Sequence, residues 1–282
     1  GYRVILSETL NELGGRVMRE SRLPGLSEWS RVKDHRILLL NRMKEVSIYC
    51  GNKLTANDIM DFSDENQFDF SHVFFATGAS WRRDGMGRRH RESIPGLENL
   101  MVYTPDDIMD GVSVNGKVVI FDDDHFYLGG VIAEKLKKEG HEVTLVTPAP
   151  DISTFTHKTL EQKHIQKKLI NLGVVLVPNM DILACYYGKV ELSCVYTEDK
   201  IEKFCDSLVL ITERIQNDEL LKSVEENQKK ISRLGIKTLK SVGDCFSPGT
   251  IAAAVYSGHL AAREFQGEFK EDVPFLRERI QL

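Results

Sequence analysis

The chain has 282 residues, a net charge of -5 at pH 7, 41% apolar residues and 28% charged residues. This length is enough for one large or two medium α/β domains with cores of their own. The negative charge gives no overall field that would attract nucleic acid or an anionic membrane surface. No apolar stretch approaches the roughly 18 residues that a membrane span needs, and no signal peptide is recognised. We therefore expect neither a nucleic-acid nor a membrane partner.

Five cysteines are present, and none of them has a partner at metal-ligand spacing. No C-x-x-C pair occurs, and no histidine stands where a zinc site would need it. Most of the cysteines lie in apolar or strand-like runs, where cysteine behaves as a small hydrophobic residue; they are Cys50, Cys185, Cys194, Cys205 and Cys245. We expect a reducing, cytoplasmic setting and no zinc or iron–sulfur site in this chain.

Strand-like and helical runs alternate along the chain. Residues 1–8 are typical of a short strand that ends in Glu8, and residues 70–78 of a second, buried strand. Thr104 followed by a proline predicts the start of a helix, because threonine is a favourable cap and proline suits the first helical position.

The middle of the chain predicts a strand–helix–strand unit. Residues 117–121 form an apolar strand, residues 129–140 an amphipathic helix and residues 142–146 the next strand. Residues 189–195 alternate in the period-2 manner of an antiparallel strand. Residues 205–211 are continuous and apolar, which indicates a buried strand.

This alternation favours an α/β fold with parallel sheets. We predict two doubly wound, Rossmann-like domains of the FAD- and NAD(P)-binding kind, one inserted into the other. The ADP/FAD-type domain would comprise residues 1–103 and 236–282 and would lack its first strand, because Glu8 would end the second strand of such a fold. A degraded NAD(P)-like domain would comprise residues 104–235. The native polypeptide would then be longer at its N-terminus, or another segment would fill the gap.

Several short motifs have residue types that suit nucleotide binding. Glu8 stands where a dinucleotide fold places the acid that binds ribose hydroxyls, and the turn Gly14-Gly15-Arg16 follows it. Ala76-Thr77-Gly78 ends a strand with small residues that allow a close backbone approach, and Trp81 could stack on a ring. Each of these motifs alone is more often an ordinary strand end, a tight turn or a packed tryptophan.

Gly243-Asp244, just before an Ala-rich helix, is the strongest of these signals. A carboxylate at a strand end can hold a sugar-like hydroxyl, and the N-terminus of the following helix favours phosphate. Because Ala-rich helices are common, the residues alone leave a nucleotide site and an ordinary packed helix equally open.

The turn Asp122-Asp123-Asp124 follows the strand at 117–121, where a NAD(P) site would have glycines. Three carboxylates repel a diphosphate and fill its place, so we expect no productive NAD(P) binding there. A metal cluster is less favoured than a solvated turn, since consecutive side chains point in different directions. The basic run at 82–91 is interpreted in the same way, as a solvated face.

No set of residues predicts a catalytic or metal centre. His157 and His164 lie on or near one helix, but the acid of an H-E-x-x-H motif is absent between them. No G-x-S-x-G motif occurs, and no Cys–His pairing can be argued.

Taken together, several stretches resemble the C-terminal half of the trimethylamine and dimethylamine dehydrogenases. Dienoyl-CoA reductases and Old Yellow Enzyme fusions are similar but more distant. The stretches are Glu8 with Leu13-Gly14-Gly15, residues 23–29 (LPGLSEW), 76–81 (ATGASW), 94–96 (IPG) and 107–111 (DIMDG), and Gly243-Asp244 with Ser257-Gly258-His259.

The resemblance implies a parent oxidoreductase that acts on CH–NH groups. In that family, an N-terminal TIM barrel holds FMN and a [4Fe–4S] cluster, oxidises a methylated amine and passes electrons to an electron-transferring flavoprotein. The C-terminal half keeps ADP, and its second nucleotide site is degraded. This chain would then be a structural, ADP-holding portion without a catalytic centre, inactive alone, with the barrel, the electron-transferring flavoprotein and a second copy in a homodimer as partners.

The resemblance also implies a set of ADP or FAD contacts. They are Glu8, Gly14, Gly15, Arg16, Ala76, Thr77, Gly78, Trp81, Gly243 and Asp244. Glu213 departs from the family, which often has glycine there. Two alternatives stay open: an FAD-dependent NAD(P)H oxidoreductase lobe of the dienoyl-CoA reductase type, and a nucleotide-free docking or structural module.

Overall fold

The computed structural model describes residues 2–64 and 70–264. The chain divides into two compact units: the first comprises Gly1–Gly15, Arg36–Ala79 and Ile215–Leu282, and the second Arg16–His35 and Ser80–Arg214. The end of the predicted domain segment 236–282, residues 265–282, lies outside the described residues. The predicted division into nucleotide-binding domains at 103/104 and 235/236 stays a prediction.

Strands and helices alternate through most of the described chain. In chain order they are β1 (Val4–Ser7), α1 (Gly15–Ser21), α2 (Ser30–Leu40), β2 (Val46–Tyr49), α3 (Ala56–Asp64), β3 (His72–Phe75), β4 (Ala79–Trp81), β5 (Met101–Tyr103), α4 (Pro105–Met109), β6 (Lys117–Asp122), α5 (Leu128–Lys138), β7 (Glu142–Val146), α6 (Gln162–Leu172), β8 (Val175–Val177), β9 (Met180–Tyr186), β10 (Lys189–Cys194), β11 (Lys200–Phe204), β12 (Ser207–Ile211), β13 (Arg214–Gln216), α7 (Glu219–Glu225), α8 (Gln228–Arg233), β14 (Thr238–Ser241) and α9 (Ile251–Glu264).

The second unit contains a five-stranded parallel sheet in the order β5-β12-β6-β7-β8. All five residues of β12 and all of β6 after Lys117 are buried. Such continuous apolar strands are typical of a parallel sheet that is covered on both faces. The predicted strand–helix–strand unit is confirmed as β6, α5 and β7, and the buried strand predicted at 205–211 is confirmed as β12.

A three-stranded antiparallel sheet in the order β11-β10-β9 also belongs to the second unit. The period-2 pattern at 189–195 correctly predicted the antiparallel strand β10, in which Val190 and Leu192 are fully buried. The two strands beside it, β9 and β11, were not predicted. Their polar and charged residues weaken the hydrophobic alternation on which such a prediction depends.

The predicted start of a helix at Thr104 is confirmed. The Asp107 carboxylate accepts hydrogen bonds from the backbone N–H and the hydroxyl of Thr104 at 2.7 and 3.0 Å, and Pro105 is the first residue of α4. This reciprocal cap fixes the helix directly after β5.

The first unit has a smaller sheet structure. Among its described residues, β1 pairs in parallel with β2, and β3 pairs in parallel with β14. A separate two-stranded sheet joins β4 and β13. The core of the first unit is a cluster of five buried side chains, namely Ile59, Phe75, Val224, Ile231 and Cys245.

The predicted architecture of two doubly wound, Rossmann-like domains is wrong. The second unit has one five-stranded parallel sheet, whereas the described strands of the first unit form only pairs. The physical reason is that the alternation of strands and helices is a local signal. It does not determine which strands pair, because pairing depends on residues far apart in the chain.

We also searched the described residues for helices that could enter a membrane. None of these helices is both long enough and apolar enough to cross one.

Candidate functional site

The turn between β6 and α5, at the carboxyl end of the five-stranded sheet, concentrates charge in a buried place. Asp122 is fully buried, and its Oδ1 accepts hydrogen bonds from the backbone N–H groups of Asp124 and His125 at 3.2 and 3.0 Å. Within residues 2–64 and 70–264, its Oδ2 has no hydrogen-bond partner. The prediction that this turn is solvated is therefore wrong for Asp122, and also for Asp123, which is 1% exposed.

Burial changes the acidity of this turn. Desolvation raises the pKa of Asp122 to about 7, and the negative charge of Asp124 adds to the effect. Desolvation also raises the pKa of Asp124 to about 6, although the positive charges of Arg88 and His125 oppose it. The turn therefore holds carboxyl groups that change protonation near neutral pH.

The basic run at 82–91 lies against this turn. The backbone N–H of Arg89 donates to Asp123 Oδ2 at 2.7 Å. Gly87 fits between Asp123 and Thr212, since a Cβ at Gly87 would lie 2.9 Å from the carboxylate and 3.0 Å from the threonine Cβ. Part of the run is thus a packed loop, and the prediction of a solvated face holds only for side chains such as that of Arg88.

The same run also reaches the antiparallel sheet through Asp181 on β9. Arg89 Nε and His90 Nε2 lie 2.7 and 2.8 Å from the two oxygens of the Asp181 carboxylate. The Arg88 guanidinium lies 5.1 Å from the ring centre of Phe155, within the range of a cation–π contact. Loop, turn and sheet are thereby held together by charged groups at the carboxyl end of the strands.

This arrangement leaves little space for a dinucleotide at that end of the sheet. A phosphate-binding turn needs glycines and open backbone N–H groups, whereas Asp122 and Asp123 already use the backbone N–H groups of the turn and of Arg89. The absence of productive NAD(P) binding stays a prediction, and the packing of these carboxylates supports it.

The predicted contacts in the first unit form two groups. Ala76-Thr77-Gly78 follows β3 and Gly243-Asp244 follows β14, and because these strands are parallel neighbours their ends lie together. The Thr77 hydroxyl contacts Cys245 Sγ at 3.1 Å. Asp244 is 9% exposed and accepts a hydrogen bond from the N–H of Gly249 at 3.0 Å.

Glu8 and the glycine turn belong to a different pair of strands. Glu8 ends β1, and its Oε1 accepts a hydrogen bond from the N–H of Leu10 at 2.9 Å, so it stabilises its own loop. Gly14 and Gly15 have φ angles of +123° and +47°, which explains why glycines stand there. Whether any of these residues contacts a ligand stays a prediction.

The remaining two predicted contacts, Arg16 and Trp81, lie in the second unit. Arg16 Nε lies 3.6 Å from Glu20 Oε1. Trp81 is 8% exposed, its N–H donates to Asp106 Oδ2 at 2.8 Å, and Arg214 lies 5.3 Å from its ring centre. Packing therefore accounts for Trp81 without a ligand.

Sequence reasoning missed the buried carboxylate of Glu20. It is 1% exposed and accepts a hydrogen bond from the Tyr127 hydroxyl at 2.7 Å, and the Tyr127 ring packs edge-on against Trp29 with centroids 4.6 Å apart. Burial and the charge of Glu20 both raise the pKa of Tyr127. No local pattern indicates this contact, because 107 residues separate the two partners.

The family described as "OYE-like second alpha/beta domain" matches residues 103–215. Dimethylamine dehydrogenase from Hyphomicrobium sp. (strain x) is 29% identical to this chain over 99% of its length and 41% of that protein. The solved histamine dehydrogenase from Rhizobium sp. 4-9 is 41% identical with a TM-score of 0.93, over 100% of this chain and 43% of that one. An amine oxidase for 6-hydroxypseudooxynicotine from Pseudomonas geniculata N1 is 36% identical with a TM-score of 0.89, over 95% of this chain and 39% of that one. The chain thus spans about two fifths of the length of these relatives.

These similarities correct the predicted assignment to a C-terminal ADP/FAD–NAD(P)-like half. The matching family is described as an OYE-like α/β domain, and the similar proteins are amine dehydrogenases and an amine oxidase. The predicted function, a C-terminal portion that holds ADP structurally, is wrong for the same reason, together with its two alternatives. What is supported is a likeness to the OYE-like α/β part of amine-oxidising enzymes.

The predicted cofactors are corrected as well. ADP or FAD was expected here, with FMN and a [4Fe–4S] cluster only in a missing N-terminal barrel, but an OYE-like match gives ADP and FAD no support. The residues present do not fit an iron–sulfur cluster. In the part of the chain that the structure describes, no group of His, Cys, Asp and Glu could hold a metal ion. Burial also raises the pKa of Cys185 and Cys205 to about 12, whereas a cluster ligand must be a thiolate.

Proposed function

We propose that this chain is the OYE-like α/β portion of a flavin-dependent oxidoreductase that acts on an organic amine. The observation that carries the proposal is the likeness to histamine dehydrogenase, which extends over 100% of this chain at 41% identity. Dimethylamine dehydrogenase and the 6-hydroxypseudooxynicotine amine oxidase support the same class of substrate. Because these proteins are named for different amines, we propose the class and not one compound.

The proposal concerns the longer protein, since the chain spans about two fifths of its relatives. A bound flavin would accept the electrons that leave the amine. We identify no flavin-binding or amine-binding residue in this chain, and we derive no chemical step from it. An electron-transferring flavoprotein as the electron acceptor also remains a proposal.

The test uses the natural polypeptide that contains this chain. We expect the purified protein to show flavin absorbance and to reduce an artificial electron acceptor when an amine such as histamine or dimethylamine is added. The matched control for histamine is the alcohol in which a hydroxyl replaces the amine, which should give no turnover. A protein whose flavin stays oxidised with every amine tested under anaerobic conditions, or that contains no flavin, would contradict the proposal.

A further inference from the structure

The outer strand of the antiparallel sheet, β11, is an exposed edge. It pairs with β10 on one side, and among the described residues no strand pairs with its other side. Ile201 is 42% exposed and Phe204 is 73% exposed. An exposed edge with apolar residues is a template for strand pairing.

The backbone groups that face outward can be assigned from two hydrogen bonds. The N–H of Cys194 donates to Asp199 O at 2.9 Å, and the N–H of Cys205 donates to Gly188 O at 3.0 Å. Since inward and outward groups alternate along an antiparallel strand, odd-numbered residues bond to β10. The N–H and C=O groups of Lys200, Glu202 and Phe204 therefore point away from the sheet.

Symmetry limits how this edge can pair with the same edge of a second copy. Two antiparallel copies of one edge strand are related by a two-fold axis perpendicular to the sheet, which keeps each side chain on its own face. Opposed residues must lie on the same face, so the axis has to pass through a residue. The three central choices are Ile201, Glu202 and Lys203.

The charges distinguish these three registers. An axis at Glu202 places two glutamates opposite each other, and an axis at Lys203 does the same with two lysines, which is unfavourable. An axis at Ile201 places Ile201 opposite itself, Lys200 opposite Glu202 of the second copy, and Asp199 opposite Lys203 of the second copy. Each of the two opposite-charge pairs occurs twice.

We propose that β11 pairs with β11 of a second copy of this chain, antiparallel and centred on Ile201. In this register Lys200 and Glu202 exchange backbone hydrogen bonds across the axis, because their backbone groups point outward. Their side chains already have exposed partners in their own sheet: Lys200 lies 3.5 Å from Glu191, and Glu202 lies 2.6 Å from Lys189. The dimer extends these pairs into a row of alternating charges across the axis.

The charges that usually protect an edge strand here select one register. Like charges oppose pairing centred on Glu202 or Lys203, and opposite charges favour pairing centred on Ile201. The ladder is short, so the dimer depends on protein concentration and weakens with salt.

Disulfide trapping tests the register. In a non-hydrogen-bonded pair the two Cα atoms lie about 4.5 Å apart, which a disulfide can span. The full chain with Ile201→Cys, in a Cys50→Ser background that removes the exposed thiol, should form a covalent dimer under mild oxidation. The matched control Lys203→Cys should not, because four residues along the strand, about 13 Å, separate the two thiols. Equal trapping of both variants would overturn the register.

Charge reversal tests the pairing itself. Lys200→Glu should weaken dimerisation by about tenfold in sedimentation at low salt, because two attractive cross-strand pairs become repulsive. The double variant Lys200→Glu/Glu202→Lys restores opposite charges across the axis and should recover the dimer. A wild-type chain that stays monomeric at every concentration, or protection of the Lys200 and Glu202 amides from hydrogen exchange in the monomer, would overturn the proposal.

Discussion

The carboxyl ends of parallel strands are built in opposite ways in the two units. In the second unit, the end of β6 is filled: Asp122 packs against Gly129, and Asp123 is held by the loop at 82–91. In the first unit, the ends of β3 and β14 carry small residues, and a Cβ at Gly78 would meet nothing within 4 Å.

This difference shows that glycine has two separate uses at strand ends. Gly129 lies in the first turn of α5 and is needed for space, because the Asp122 side chain occupies the place of a Cβ. Gly78 has open space around it and is needed for its backbone angle, with φ at +78°. Substitutions at these two positions should therefore fail for different reasons, and this contrast can be broken or sharpened by experiment.

The largest effect is expected for Gly129→Ala. The added Cβ would lie 2.4 Å from Asp122 Oδ2 and 2.6 Å from its Cγ, and the carboxylate cannot move without losing its bonds to Asp124 and His125. We expect the free energy of unfolding to fall by about 2 kcal/mol, in the range found for overpacked cores. Chemical denaturation would measure it. The control is Gly258→Ala in α9, where no atom lies within 4 Å of the new Cβ and alanine should raise stability by about 0.5 kcal/mol. A neutral Gly129→Ala variant would show that the edge is not tightly filled.

A smaller effect is expected when the charge of Asp122 is removed. Its pKa is raised from 3.8 to about 7, so the native chain binds a proton that the unfolded chain has already released between these values. Stability is therefore greatest at low pH and falls as pH rises towards 7 and beyond. Asp122→Asn keeps the Oδ1 acceptor but cannot ionise, so its stability relative to the wild type should increase between pH 5 and pH 8, by on the order of 2 kcal/mol.

The measurement is the free energy of unfolding of both proteins at the two pH values. Glu142→Gln serves as the control, since the Glu142 side chain is 72% exposed and its removal should leave the pH dependence of the wild type unchanged. Parallel pH profiles for wild type and Asp122→Asn would show that the buried turn does not titrate as described.

Local signals explain what the sequence could predict. The helix start at Thr104, the unit from β6 to β7 and the buried strand β12 each depend on residues close together in the chain. The filled edge could not be predicted in this way. Arg89 and Asp181 are 92 residues apart, and Glu20 and Tyr127 are 107 apart, so only the fold brings them into contact. Pairing of strands is equally non-local, which is why the predicted second doubly wound sheet was wrong.

The same limit applies to the candidate site. Gly78, Gly243 and Asp244 were selected because small residues and a carboxylate at strand ends suit a nucleotide. The structure gives each of them a structural reason as well: the two glycines have positive φ angles, and Asp244 accepts a hydrogen bond from Gly249. Residue type alone does not separate these two explanations.

The smallest effect, and the sharpest contrast, is expected at Gly78. Alanine there meets no neighbour, so its cost comes from the left-handed backbone alone and should be about 1 kcal/mol. Asparagine tolerates this conformation better than alanine, so Gly78→Asn should be more stable than Gly78→Ala. At Gly129 the order should reverse, because asparagine is larger than alanine and the space is filled by Asp122. Thermal or chemical unfolding of the four variants gives both orders directly. The same order at both positions would mean that one cause, either space or backbone angle, governs both strand ends.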